Sequence, residues 1–247
     1  MNDKRTGANP YGDISHNVAA RQESPGKKIA VIVVAAVVVL ALVAVLATQC
    51  GKDSSPAGKN TGAAQAQNAT QQTAAVTVTG TPLPPYPSDA GLVADAATDP
   101  ATGKTPPTLK GETFDAKPLT VAPGGKAKVV IFVAHWCPHC QAEVPLIQKW
   151  IEDGNLPSDV EMYAVATATT ESRPNYPASA WIATENFTPQ VLLDDEQGTA
   201  SAAYGLTGFP YIVFIDKDGK VAHRASGEVP IDQFGELVNN LSTSKKQ

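Results

Sequence analysis

The chain contains 247 residues, carries a formal net charge of −5 at pH 7, and has only three cysteines, Cys50, Cys137 and Cys140. This length allows one folded domain or one with a small companion. The negative charge argues against a nucleic-acid-binding protein, and three cysteines are too few for a disulfide-stabilised scaffold. A zinc site with four cysteine ligands would need a second C-x-x-C pair besides Cys137 and Cys140.

Residues 29–48 form an uncharged apolar run that is long enough to cross a membrane. At a helical rise of about 1.5 Å per residue the run spans about 30 Å, which matches the hydrocarbon core of a bilayer. Lys27 and Lys28 precede it directly, so residues 1–28 are predicted to be cytoplasmic and the remainder of the chain extracytoplasmic. The alternative is a cleaved signal peptide, whose apolar region is usually shorter, about 7–15 residues. We expect a single-pass anchor in the cell membrane.

Residues 49–104 are rich in Ala, Thr, Gln, Gly, Ser and Pro, and Tyr86 is the only aromatic residue among them. Such a segment can bury little apolar surface to offset the entropy lost on ordering. The composition therefore predicts a disordered linker that holds a folded domain, residues 105–247, near the membrane.

The pattern from residue 105 onward predicts an α/β domain. Strands are predicted at residues 129–134, 160–167, 191–193, 211–215 and 220–224, and helices at residues 138–151, 178–184, 201–204 and from about 230 onward. Strands and helices alternate first, and a hairpin then precedes the final helix. This order predicts a sandwich in which helices flank a mixed central sheet.

The candidate chemistry lies where the apolar strand VVIFVA meets the next helix, in the sequence Trp136-Cys137-Pro138-His139-Cys140. Pro138 suits the first helical position, which places Cys137 at the helix start. Unpaired N–H groups and the helix dipole favour a thiolate there, and the thiolate is the reactive form of cysteine. Cys140 follows one turn later on the same face. The pattern predicts that Cys137 exchanges disulfides with a substrate and that Cys140 resolves the mixed disulfide.

Residues 107–241 resemble the thioredoxin superfamily, and most closely its exported TlpA-like and DsbE-like members. The resemblance rests on the C-x-x-C motif after a buried strand, on Pro145 where the family has a helix-kinking proline, on Gly208-Phe209-Pro210 before the strand YIVFI, and on the hairpin turn at residues 216–220. It implies a thioredoxin-like fold, a thiol–disulfide oxidoreductase activity, and no cofactor or metal. It also implies a cis bond between Phe209 and Pro210, near the Cys137 sulfur, where the Phe209 backbone could pair with a substrate segment.

The direction of the reaction is a separate question. Pro138-His139 is the dipeptide of DsbA-type oxidants, and His139 in the first helical turn can stabilise a nearby thiolate. The buried acid that thioredoxin and DsbA carry six residues before the first cysteine is replaced by Ile131, and Glu171 is the candidate substitute. The dipeptide favours the oxidising direction, that is, disulfide donation to exported proteins. The TlpA-like resemblance keeps a second hypothesis open, a reductase in cytochrome c maturation.

A third hypothesis is a Cu(I) carrier, since His135, Cys137, His139 and Cys140 bring four metal-binding groups within six residues. Neighbouring residues at one helix start cannot easily surround an ion, so we expect His135 and His139 to be exposed residues at the rim of the redox site. Trp136 is expected to cover one side of the Cys137 sulfur. The expected partners are exported protein thiols and disulfides and a membrane-embedded redox protein, with no nucleic acid.

Overall fold

The computed structural model describes residues 62–243. The elements are α1 (Gly62–Gln67), β1 (Thr77–Thr79), β2 (Thr108–Glu112), β3 (Pro118–Val121), β4 (Ala127–Val133), α2 (Pro138–Glu152), β5 (Val160–Ala166), α3 (Ala178–Thr184), β6 (Gln190–Leu193), α4 (Thr199–Ala203), β7 (Tyr211–Ile215), β8 (Val221–Ser226) and α5 (Ile231–Thr243). The predicted cytoplasmic segment and the predicted membrane helix, residues 29–48, lie outside this range. Within residues 62–243 no helix has the length and apolar character needed to cross a bilayer.

The central sheet has five strands in the order β6-β5-β4-β7-β8. Strands β4, β5 and β6 are parallel, whereas β7 and β8 run antiparallel to β4 and to each other. All residues of β4 and β7 are buried, as expected for the middle strands of a sheet that is covered on both faces. The predicted thioredoxin-like sandwich with a mixed sheet is therefore confirmed.

A second, antiparallel sheet of three strands, β1-β2-β3, was not predicted. Its first strand comes from the segment that we expected to be disordered. Strand β1 pairs with β2 from Thr77↔Lys110 to Thr79↔Thr108. Helix α1, from the same segment, contributes Gln65, whose side-chain oxygen accepts a hydrogen bond of 3.2 Å from the backbone N–H of Val191 on β6.

The prediction of a disordered linker at residues 49–104 is therefore wrong for residues 62–104. Leu83, Tyr86, Ala94 and Ala101 of this segment are buried. At Gly205, where φ is +78°, a Cβ atom would lie 2.2 Å from the carbonyl oxygen of Pro84, so only glycine permits this approach. Composition was misleading because the few apolar residues of this segment pack against a core that is formed mainly by the rest of the chain.

A buried ion pair also fixes this segment. Arg224 on β8 and Asp99 are nearly inaccessible to solvent, and two guanidinium nitrogens of Arg224 donate hydrogen bonds to the Asp99 carboxylate. Arg224 Nη1 also donates to the Pro84 carbonyl oxygen at 2.7 Å and to the Tyr211 hydroxyl at 3.1 Å. The carboxylate and the backbone carbonyl that satisfy this cation come from residues 62–104, so the segment is part of the domain.

Candidate active site

The two cysteines lie where β4 leads into α2. Cys137 is the residue that caps the start of α2, with Pro138 in the first turn and extended backbone angles of φ −78° and ψ 120°. Its backbone N–H donates to the Ala134 carbonyl oxygen at 3.0 Å, and its own carbonyl accepts from the Gln141 N–H at 3.1 Å. The predicted placement of Cys137 at a helix start is confirmed. Pro145 lies inside the same helix, as the resemblance implied.

Cys140 is fully buried, and Cys137 is 5% exposed. Both cysteines are free thiols. Burial raises the pKa of the Cys140 thiol, and the neighbouring Cys137 and Glu143 raise it further. Cys140 therefore needs a proton acceptor before it can act as a nucleophile.

Glu143 provides a buried carboxyl group that could accept the proton of Cys140, and the sequence analysis missed it. It lies one turn after Cys140 on α2 and is 1% exposed. Its Oε1 accepts a 3.0 Å hydrogen bond from the backbone N–H of Val229, whereas its Oε2 is buried without a hydrogen-bond partner. Burial raises the pKa of Glu143 to about 7, the negative charge of Glu228 adds to this, and the Val229 hydrogen bond opposes it. Glu143 can therefore accept and release a proton near neutral pH.

Neither the position of the missing acid, Ile131, nor the candidate substitute, Glu171, supplies a buried carboxyl group. Ile131 is a core residue of β4, 1% exposed. Glu171 is exposed, and it accepts a hydrogen bond of 3.2 Å from the hydroxyl of Tyr176. The sequence did contain one indication of Glu143. It lies with Cys140, Val144 and Ile147 on the buried face of the helix, where a charged side chain is unusual.

Trp136 forms part of the rim of the site. Its indole N–H donates to the Ala168 carbonyl oxygen at 2.9 Å, and the guanidinium of Arg173 lies 4.2 Å from the ring centroid. Phe209 meets the same indole edge to face, with ring centroids 5.8 Å apart. These contacts hold the residue before Cys137 against the loop that ends in Pro210.

The bond between Phe209 and Pro210 is cis, as the resemblance implied. Pro210 is buried and Phe209 is half-buried. The Pro210 carbonyl oxygen accepts a hydrogen bond of 2.8 Å from the N–H of Gly227, in the loop after β8. A second cis bond, between Tyr176 and Pro177, precedes α3.

The two histidines of the motif have different surroundings. His135 is 1% exposed, so the expectation of an exposed rim residue is wrong for it. Its Nδ1 lies 2.7 Å from the Pro174 carbonyl oxygen, and its Nε2 accepts from the Thr170 N–H at 3.3 Å. Burial lowers the pKa of His135. Since both ring nitrogens are used, His135 is unavailable as a metal ligand, which removes one of the four groups that a Cu(I) carrier would need.

His139 is exposed, as expected, and its Nδ1 lies 2.5 Å from Glu228 Oε1. The side chains of His139 and Glu228 are 65% and 48% exposed. Pro138 is also exposed beside it. The residues between the cysteines thus face outward, while the resolving thiol and Glu143 face the core.

Comparison with known proteins identifies the family. The model of the family described as Redoxin matches residues 100–241, more than half of the chain. The thiol-disulfide oxidoreductase ResA of Bacillus thuringiensis subsp. konkukian is 29% identical over 143 residues, covering 54% of this chain and 72% of that protein. A thiol:disulfide interchange protein DsbE homolog of Paracoccus denitrificans is 29% identical over 128 residues, covering 51% of this chain and 64% of that protein.

Among solved structures, a thiol:disulfide interchange protein of the thioredoxin family from Chlorobium tepidum is 25% identical, with a TM-score of 0.47, and the match covers 56% of this chain and 96% of that one. The match to the Redoxin model and the similarity to ResA and DsbE agree with the resemblance stated from the motifs. The chain belongs to the Redoxin family and is a thiol–disulfide oxidoreductase of the thioredoxin superfamily.

Proposed function

We propose that Cys137 and Cys140 are the redox pair, with Cys137 as the sulfur that exchanges with substrate, Cys140 as the resolving sulfur and Glu143 as its proton partner. The observation that carries this assignment is the pairing of a cysteine at a helix start with a buried second thiol and a buried carboxyl group with a pKa of about 7. Trp136, Phe209 and Pro210 form the rim against which a substrate segment would lie.

In the oxidising direction, a substrate thiolate attacks Cys137 Sγ of the disulfide and breaks the Cys137–Cys140 bond. The Cys140 thiolate takes a proton from Glu143. A second substrate thiolate then attacks the substrate sulfur of the mixed disulfide and releases the Cys137 thiolate. The substrate dithiol gives two electrons to the Cys137–Cys140 disulfide and loses two protons, of which one restores Glu143 and the other passes to solvent. In the reducing direction Glu143 takes the proton from Cys140, which then resolves the mixed disulfide.

The favoured direction is oxidation of exported proteins. Its support is His139 in the first turn of α2, where a cation stabilises the Cys137 thiolate and hence the reduced form. A second candidate is a reductase, which the TlpA-like resemblance connects with cytochrome c maturation. One observation favours this candidate: Glu228 lies 2.5 Å from His139, and its negative charge offsets the charge of an imidazolium.

The proposed location is extracytoplasmic, with residues 29–48 as the membrane anchor. The support is the sequence alone, namely an uncharged run of bilayer length that follows Lys27 and Lys28. An anchored enzyme would need a membrane-embedded redox protein to restore its cysteines, and its substrates would be thiols or disulfides of exported proteins.

The deciding experiment is the reduction potential of the pair in residues 58–247, equilibrated against glutathione buffers and monitored by alkylation of free thiols. A potential above about −180 mV would establish a disulfide donor, and one below about −230 mV a reductant. The Cys140→Ser variant is the control, because it cannot form the internal disulfide but should trap mixed disulfides at Cys137. Absence of an internal disulfide in the unmutated protein at any potential would refute the assignment.

A further inference from the structure

One short loop after β8 contacts two parts of the candidate site, the cis-proline turn and helix α2. Three consecutive residues are involved: Gly227 contacts the cis-proline turn, whereas Glu228 and Val229 both contact helix α2. The contacts are Gly227 N–H to the Pro210 carbonyl oxygen at 2.8 Å, Glu228 Oε1 to His139 Nδ1 at 2.5 Å, and Val229 N–H to Glu143 Oε1 at 3.0 Å. The loop therefore holds the cis-proline turn, the residue between the cysteines and the buried acid in one arrangement.

The contacts at Gly227 and Val229 are made by backbone N–H groups, and Gly227 has a φ of +95° that favours glycine. Glu228 is different, because its contact is made by a charged side chain and by no other group of the loop. Ser226, just before the loop, is held by a 2.9 Å hydrogen bond from its N–H to the carbonyl oxygen of Leu92. The backbone that carries Glu228 is therefore fixed, and the carboxylate is directed at His139.

We propose that Glu228 is a positioning residue of the redox site, which acts through His139 to make the Cys137–Cys140 pair less oxidising than the Cys-Pro-His-Cys motif alone would be. The inference rests on the proposed assignment of this pair as the redox site. It adds a residue 88 positions beyond Cys140 that the motif does not reveal.

The physical argument is electrostatic. A pair becomes more oxidising when a thiolate of its reduced form is stabilised. A protonated His139 would stabilise that thiolate, but the carboxylate 2.5 Å from its Nδ1 draws the imidazole toward the loop and offsets its charge. Two further charged groups of the site are Glu143 on the inner side and Arg173 over Trp136. Neither of these contacts the His139 ring in the structure, so Glu228 is its direct counter-charge.

The test is a double-mutant cycle in the full chain with Cys50→Ser, so that only the pair reports on glutathione. The variants are Glu228→Gln, His139→Gln and both together, all compared at the same mildly acidic pH. Glu228→Gln should raise the equilibrium constant for reduction of the pair by glutathione by about threefold. This change corresponds to a reduction potential about 14 mV higher, since tenfold is about 30 mV for two electrons. In the His139→Gln background the same change should have less than half of this effect.

Glu236→Gln is the matched control, since it removes one exposed carboxylate from α5, and it should leave the equilibrium unchanged. The ultraviolet absorbance of the thiolate gives an independent reading and should rise in Glu228→Gln. An unchanged or more reducing pair in Glu228→Gln would overturn the proposal, as would a full effect in the His139→Gln background. If Glu228→Gln does not fold, Glu228→Asp should retain a near-normal equilibrium. Failure of the unmutated chain to form the disulfide would instead refute the proposed function.

Discussion

Glu143 has one hydrogen-bonded and one unpartnered carboxylate oxygen in the core beside Cys140. A group that shuttles a proton in the transition state contributes about 10²-fold or more to a rate. Glu143→Gln keeps the shape and removes the proton acceptor, so we expect disulfide reduction by the dithiol form to slow by about 10²-fold at neutral pH. Stopped-flow tryptophan fluorescence with a peptide disulfide would measure this rate. The control, Glu152→Gln on the exposed end of the same helix, should retain the normal rate.

Glu143 should also make stability depend on pH. Its pKa is raised from 4.5 in an unburied carboxyl group to about 7, chiefly by burial. Between these values the folded state binds more protons than the unfolded state, so the free energy of unfolding falls as pH rises and then levels off above about pH 7. The loss amounts to about 3 kcal/mol. Urea denaturation at pH 5 and pH 8 should show this fall in the unmutated domain and a smaller one in Glu143→Gln. An equal fall in both proteins would contradict the prediction.

The residues of the site differ in how far the sequence could reveal them. Cys137, Cys140 and Pro210 belong to motifs of fixed local spacing, so their placement followed from a few neighbours. The sequence shows Glu143 only as a charged residue on an apolar helix face, which does not predict its role unless the fold is known. Glu228 was not readable, since its contact with His139 joins positions 89 residues apart. The buried state of His135 likewise depends on Pro174 and Thr170, which lie in a remote loop.

Strand β8 connects the site to the N-terminal part of the domain through Arg224 and Asp99. Breaking a buried pair leaves an uncompensated charge and costs about 3–5 kcal/mol. Asp99→Asn should lower the free energy of unfolding by an amount in this range, as measured by urea denaturation. The exposed pair of Lys149 and Asp153 provides the control, because Asp153→Asn should change stability by less than about 1 kcal/mol. Equal small effects of both substitutions would show that Arg224 finds another partner or water.

The elements themselves were predicted unevenly. Strands β4 and β7 contain continuous apolar runs and helix α2 is 15 residues long, and their predicted bounds agree closely with the structure. Strands β1, β2 and β3 have only three to five residues each, too few for a clear alternation. Strand β1 in addition depends on pairing with positions about 30 residues away, such as Val78 with Leu109. Contacts of this kind cannot be read from local sequence.

At the scale of the whole domain, residues 62–104 complete a core that the remaining chain leaves open. The Leu83 N–H donates to the Ala203 carbonyl oxygen and the Tyr86 N–H to that of Gly205, so the segment lies against α4 and the turn after it. Val93 then forms a bridge with Ala225 at the outer edge of β8. The segment thus covers a free sheet edge, which would otherwise expose unpaired backbone groups. The folded domain therefore includes residues 62–104 and does not begin near residue 105.

Removal of this segment should therefore unfold or strongly destabilise the domain. A fragment of residues 105–247 would keep Arg224 but lose Asp99, a cost of about 3–5 kcal/mol against a typical total stability of about 5–15 kcal/mol. It would also lose the packing of Leu83 and Tyr86. Thermal unfolding followed by circular dichroism should give a cooperative transition for residues 58–247 and a much lower or absent one for residues 105–247. Arg224→Met should partly restore the stability of the shorter fragment, because it removes the unpaired charge. Equal unfolding temperatures for the two unmutated fragments would contradict the prediction.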